Sequence, residues 1–239
     1  MPTFEIVPVH VGSRRGTSLL FCYLSEPKPL TVHYRIWVLR NGTRTIVVDS
    51  GLPPEEALRR GITDARDVTE ALAEVGVDAA RVTTVVLTHL HWDHASNAGS
   101  FPRATFVAQK SELDWLTSPL LSEPTVGSFY FDVEQFIRWR DSGRFHLIDG
   151  DAQIDAGVRA LHVGGHTPGH QMVAVDVAGG TAVIAGDAIP LNRNFLERIP
   201  TAIHIDLTEA IGALNRARSL APVSLFTGHD VLSELKVLG

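Results

Sequence analysis

The segment Thr88-His-Leu-His-Trp-Asp-His94 places three imidazoles and a carboxylate within six residues. Imidazole and carboxylate together suit zinc and similar divalent ions, whereas carboxylates alone suit magnesium or calcium. In an extended stretch, side chains two residues apart share a side. His89 and His91 can therefore grip one ion, while Asp93 and His94, at a helix start, can turn toward a second. Four such side chains leave two ions under-coordinated.

Three later residues supply what is missing. His166 follows an apolar run and the pair Gly164-Gly165, Asp187 follows the apolar run ending at Gly186, and His229 follows the run ending at Gly228. Each stands just past a strand, where residues distant in sequence converge on one edge of a sheet. A lone His or Asp in such a place is ordinarily a turn or capping residue. Several sharing one placement rule point to a common site.

The elements that must carry these residues follow from periodicity and turn chemistry. Residues 4–9 read as a strand, and the β-rich runs 32–39 and 44–49 flank Asn41-Gly42, a pair suited to a hairpin turn. Pro53-Pro54-Glu55-Glu56 opens a helix that Gly61 closes, and residues 68–75 have helical spacing up to Gly76. The nearly continuous apolar run 82–88 predicts a strand covered on both faces, ending at His89. Residues 110–144 alternate helical stretches with a loop around 118–127. Strands return at 158–163, 171–177 and 181–185. Asp206 and Glu209 form a capping pair for a helix ending near Leu220, and residues 223–227 make a last strand. Strands, helix, strands, helix in this order predict sheets covered by helices. No low-complexity tract, linker or tandem repeat interrupts the 239 residues, so a single domain over 1–239 is expected.

Composition narrows the partners. A net charge of −6 and the lack of any Lys/Arg run longer than a pair disfavour nucleic acid. No apolar stretch approaches the roughly 20 residues of a membrane span. Ser13-Arg14-Arg15 before a short apolar run resembles a twin-arginine export signal only faintly. With Cys22 as the single cysteine, a cytoplasmic location is expected. Seven of the seventeen aromatic residues fall in 115–145 (Trp115, Phe129, Tyr130, Phe131, Phe136, Trp139 and Phe145). They could wall an apolar substrate pocket, pack in the core or form a homodimer contact.

The motif His89-Leu-His91-Trp-Asp93-His94 has Asp49-Ser-Gly51 before it and Gly165-His166-Thr-Pro-Gly-His170, Gly186-Asp187 and Gly228-His229-Asp230 after it. This series resembles the metallo-β-lactamase superfamily over nearly the whole chain. The residues Asn194-Phe-Leu-Glu-Arg-Ile-Pro200 and the ending Phe226-Thr-Gly-His-Asp230 are most similar to its N-acyl homoserine lactonase group. The resemblance implies an α/β fold, the four-layer αβ/βα sandwich, with a two-metal site at its edge. His89, His91 and His166 would hold the first ion, Asp93, His94 and His229 the second, and Asp187 would bridge. Zinc is the favoured ion, because diiron relatives carry a carboxylate where His91 stands. The implied reaction is hydrolysis of a small-molecule lactone by hydroxide held between the ions, with Asp93 carrying a proton to the leaving oxygen. Asp49 is expected either to orient a ligand histidine or merely to close a turn, and His170 to be structural or to support a ligand.

The resemblance is incomplete at one point. Those lactonases usually carry a tyrosine three residues after the bridging aspartate, and Pro190 occupies that position here. Asn192, Arg193 and His204 are the substitutes nearest in sequence, with His204 ranked first, and weak or moderate hydrolysis of acyl homoserine lactones with better turnover of another lactone or activated ester is expected. The alternatives are hydrolysis of a thioester, β-lactam or aryl ester, redox chemistry at a mononuclear iron, and a metal-binding scaffold without activity.

Overall fold

Two β-sheets pack face to face in the computed structural model, which describes residues 3–232. The first contains, in spatial order, β1 (Glu5–Thr17), β2 (Pro29–Arg40), β3 (Thr45–Val48), β4 (Thr84–Val86), β5 (Thr105–Gln109) and β6 (Phe145–Ile148). The second contains β7 (Ala152–Asp155), β8 (Val158–His162), β9 (Gln171–Val177), β10 (Gly180–Ile184) and β11 (Ser224–Phe226). Pairing is antiparallel from β1 to β3 and from β7 to β10. It is parallel from β3 to β6 and between β10 and β11.

Parallel neighbours need crossovers, and these supply the helices. Helices α1 (Pro54–Arg59) and α2 (Val68–Glu74) lie between β3 and β4, and the short α3 (Trp92–Ala95) between β4 and β5. Next come α4 (Lys110–Trp115), α5 (Pro124–Gly127) and α6 (Val133–Asp141), and then α7 (Asn192–Glu197) and α8 (Leu207–Ser219) between β10 and β11. No helix among the described residues is long and apolar enough to cross a membrane.

The period of two along β2 creates the layers. Val32, Tyr34, Ile36 and Val38 face a core shared with Ala57, Leu72, Leu113 and Phe136 of the helices. Trp37 and Leu39 face the other sheet, meeting a core that includes Val48, Val86, Val107, Val173 and Val175. A third cluster seats Ala213, Leu214 and Ala217 of α8 on Met172, Ala174 and Leu225. Helices, sheet, sheet and helices make the expected αβ/βα sandwich.

Several elements differ from expectation for local reasons. The turn after β2 spans four residues, with Asn41 Oδ1 accepting from the Thr43 and Arg44 amides, and only Gly42 takes a positive φ (83°). The run 82–88 is a strand only over β4, because the Thr88 amide leaves the sheet for a carboxylate. Strand β1 continues past Val9 to Thr17, so the Arg14-Arg15 pair lies in a sheet. Asp206 caps α8 at the Glu209 amide as expected. Glu209 does not reciprocate, and its carboxylate accepts from the Gly165 amide at 2.9 Å.

Candidate metal centre

The site grows from strand ends. Past β3, Asp49 adopts a left-handed φ of 64° and is buried. Its Oδ1 accepts the Thr88 amide at 2.7 Å and the Thr88 hydroxyl at 2.9 Å, which lifts the chain out of β4 toward His89. His91 caps α3, so Asp93 and His94 occupy the first helical turn. Past β8, Gly165 has φ +81°, and a Cβ there would meet the Ala210 amide nitrogen of α8 at 2.5 Å. Only glycine lets the His166 loop pack so closely. Past β10, a 3₁₀ turn over Gly186–Ala188 presents Asp187. A Cβ on Gly228 would lie 2.5 Å from Asp187 Oδ1, so a glycine past β11 lets His229 approach.

All seven expected residues come together, and all are buried. Donor atoms of His89, His91 and His166 lie within 4.8 Å of one another, as do those of Asp93, His94, Asp187 and His229. Asp187 stands between the groups, with Oδ2 at 3.6 Å from His166 Nε2 and Oδ1 at 3.3 Å from His94 Nε2 and 3.0 Å from His229 Nε2.

The donor chemistry fits cations. His166 Nε2 faces His91 Nδ1 at 2.9 Å and His89 Nε2 at 3.2 Å, so three ring nitrogens converge on one point. Burial, reinforced by neighbouring imidazoles, holds His89 and His91 well below the ordinary histidine pKa, and burial lowers His166 as well. These rings are neutral donors. In the second group, burial acts against charge on His94, but Asp93, Asp187 and Asp49 outweigh it and raise the pKa well above the ordinary value. His229 is raised against burial by Asp187, and Asp187 is held low against burial by His229 and His94. This group attracts positive charge. Close as they are, His94 Nε2 and Asp187 Oδ1 are buried and meet no partner at a hydrogen-bonding angle, as expected of atoms kept for a metal.

Outer partners fix which ring nitrogens face inward. The Nδ1 atoms of His94, His166 and His229 donate to Asp49 Oδ2 (2.8 Å), the Ile203 carbonyl (2.6 Å) and the His33 carbonyl (3.0 Å). Each donation turns Nε2 toward the centre as the atom available to a metal. His170 Nε2 accepts the Asp187 and Ala188 amides at 3.0 and 3.2 Å, holding the turn that presents Asp187. Glu112 has no counterpart in the motif reading. Its buried carboxylate accepts the Leu90 amide (2.9 Å), the Thr167 hydroxyl (2.7 Å) and the Gly169 amide (2.9 Å). Burial raises its pKa.

A cavity of about 240 Å³ opens over the centre, lined by Asp93, Asp187 and His229 together with Arg14, Phe21, Tyr34, Trp92 and Phe129. A larger one of about 800 Å³, near Phe4, Arg40 and Phe226, contains none of the seven residues. Asn192, Arg193 and His204 do not line the central cavity. Arg193 is committed to Glu197 and the Glu26 carbonyl, and His204 to the Thr201 carbonyl. The tyrosine in the wall is Tyr34, from β2. Of the aromatic segment only Phe129 reaches the cavity, where the Trp92 amide donates to its carbonyl at 2.8 Å. Phe136 and Phe145 are core residues, and Tyr130, Phe131 and Trp139 pack against the same core cluster.

The chain is 24% identical over 230 residues to an N-acyl homoserine lactonase of Bacillus thuringiensis, covering 88% of this chain and 86% of that protein. A solved N-acyl homoserine lactone hydrolase with the product N-hexanoyl-L-homoserine at its catalytic metal centre superposes with a TM-score of 0.76. It is 22% identical, and the match covers 97% of this chain and 95% of that one. AidC, a dizinc quorum-quenching lactonase, gives a TM-score of 0.76 at 15% identity, over 97% and 92% of the two chains. Residues 33–229, from the middle of β2 to the last of the seven donors, match the metallo-beta-lactamase superfamily, and the chain belongs to it.

Proposed function

We propose that this protein is a binuclear metal-dependent hydrolase that opens a lactone or a comparably activated ester. The observation that carries this reading is two adjacent buried donor groups beneath a small cavity, with Asp187 of one group 3.6 Å from His166 of the other. His89, His91 and His166 would hold one ion, Asp93, His94 and His229 the other, with Asp187 between them. Zinc suits the five imidazoles. When bound, the ions would supply activated water near neutral pH and polarise the ester carbonyl.

The chain's own residues do the rest. Asp93 Oδ2 lies 3.4 Å from His229 Nε2 and 3.6 Å from His94 Nε2, and it faces the cavity. It is the group proposed to carry a proton to the leaving oxygen. Burial and the charge of Asp93 raise the Tyr34 pKa, so its hydroxyl stays protonated and can donate to the substrate carbonyl. Phe21, Trp92 and Phe129 exclude water. We further propose a single domain acting on a small molecule in a reducing, cytoplasmic setting, consistent with the lone buried Cys22.

The test combines metal analysis with a screen of lactones, thioesters, β-lactams and phosphodiesters. About two ions per chain, loss of turnover on chelation and a preference for lactones are expected. One ion per chain with full activity would overturn the binuclear reading, and preferential thioester or β-lactam turnover would overturn the substrate class. A mononuclear iron redox centre is disfavoured because it leaves the buried Asp93, His94 and His229 group unused.

A further inference from the structure

We infer that Arg14 makes the cavity selective for a compact lactone or ester bearing a carboxylate, an inference that rests on the hydrolase reading above. Two guanidinium groups line the cavity, Arg14 and Arg60. Arg60 is already matched. Its Nε donates to Glu56 Oε1 at 2.7 Å, and its guanidinium lies 4.2 Å over the Trp92 ring. Arg14 meets no carboxylate. Among the described residues it forms no ion pair within 4.0 Å, Nη1 donates to the Arg60 carbonyl at 3.2 Å, the Tyr34 hydroxyl is a further polar neighbour, and Nε is buried without a partner.

A partly buried arginine with no counter-ion is costly unless something supplies one. The nearby carboxylates do not, since Asp93 and Asp187 face the imidazoles of His94 and His229. The Arg60 carbonyl fixes Arg14 in the wall, and the planar guanidinium matches a carboxylate through paired N–H donors.

Arg14 lines the same cavity of about 240 Å³ as Asp93, Asp187 and His229, so one small molecule can present its reacting carbonyl above Asp93 and Asp187 and an anion to Arg14. A neutral ester would leave Arg14 without a carboxylate.

The test compares γ-butyrolactone with the same ring carrying a carboxylate on its γ-carbon, using metal-loaded enzyme. Wild type should favour the anionic ring by about tenfold or more in kcat/KM, mainly through KM, as for a charge-assisted bidentate contact. R14Q should cut that preference by about the same factor. R14K, which keeps the charge but loses the planar fork, should give an intermediate preference, and it covers the case in which R14Q does not fold. Calorimetric titration with glutarate provides a readout independent of turnover, and R14Q should weaken that affinity about tenfold. Equal losses on both rings, or unchanged glutarate affinity, would overturn the role of Arg14 while leaving the hydrolase reading intact. If wild type opens neither ring the lactone substrate class falls, and the glutarate titration still decides whether Arg14 binds carboxylates.

Discussion

The substitution Asp49→Asn isolates a single proton. Asp49 Oδ1 accepts from the Thr88 amide and hydroxyl, and Oδ2 accepts from His94 Nδ1 at 2.8 Å. Asparagine has the same shape and tolerates the φ of 64° better than most residues, so the turn should survive. One end of its side chain must become NH2. The Thr88 amide can only donate, which keeps the asparagine oxygen beside it and turns the NH2 toward His94. Nδ1 must then accept, and the ring proton moves to Nε2, the atom facing Asp93 and Asp187. A protonated Nε2 cannot ligate.

Loss of an outer partner ordinarily weakens metal affinity by about 10- to 100-fold, or about 1.4 to 2.8 kcal/mol, and a reversed tautomer belongs at the upper end. Competition against a chromophoric chelator should show one weakened ion and one bound as in wild type, because His89, His91 and His166 do not touch Asp49. Equal affinity for both ions, or equal weakening of both, would refute the reasoning and leave Asp49 as a turn residue only.

Other outcomes follow from the same geometry. Asp187→Ala should lower the content of both ions and remove most activity, and elemental analysis that still finds two ions would exclude the shared role of Asp187. Tyr34→Phe should keep both ions yet lower kcat on the order of a hundredfold, the usual effect of deleting one oxyanion donor; an unchanged kcat would dismiss the hydroxyl. The metal-stripped protein should lose stability to urea as pH falls below the ordinary histidine value of 6.5. There His89, His91, His166 and His170, all with lowered pKa, refuse protons that the unfolded chain accepts, so the unfolded state gains. His94 and His229, with raised pKa, act in the opposite sense, since they hold their protons in the folded state while the unfolded chain is still taking them up near 6.5, and the four lowered histidines outnumber these two. A flat stability profile from about pH 7 to 5 would contradict this.

The seven donors were legible because imidazoles and carboxylates immediately past apolar strands form a pattern that chain order preserves. The layers were legible because strand periodicity separates Trp37 and Leu39 from Ile36 and Val38. Glu112 was not, since a buried carboxylate that serves backbone amides creates no spacing rule. Tyr34 sits within a strand whose alternation marks it as core, and nothing local shows that its hydroxyl end borders a cavity. Closeness in sequence to Asp187 put forward Asn192, Arg193 and above all His204, but none lines the cavity: α7 directs Arg193 toward Glu197 and the Glu26 carbonyl, and His204 bonds the Thr201 carbonyl. The aromatic segment concentrates rings to cover β5 and β6, as in the stacking of Trp139 on Phe106 at 5.4 Å, rather than to build a pocket.

The donors hang from different sheets: His89 to His94 follow β4 of the first, whereas His166, Asp187 and His229 follow β8, β10 and β11 of the second. Glu112 spans the same gap, joining Leu90 on one side to Thr167 and Gly169 on the other. Bound ions would therefore act as cross-links between the halves of the sandwich, stabilising the docked arrangement by about 2.7 kcal/mol at a hundred times the dissociation constant. Metal depletion should then loosen the molecule unevenly. Hydrogen exchange should quicken together along both loop edges around the cavity, while Trp37, Val48 and Val173 keep the interior of the two sheets shut.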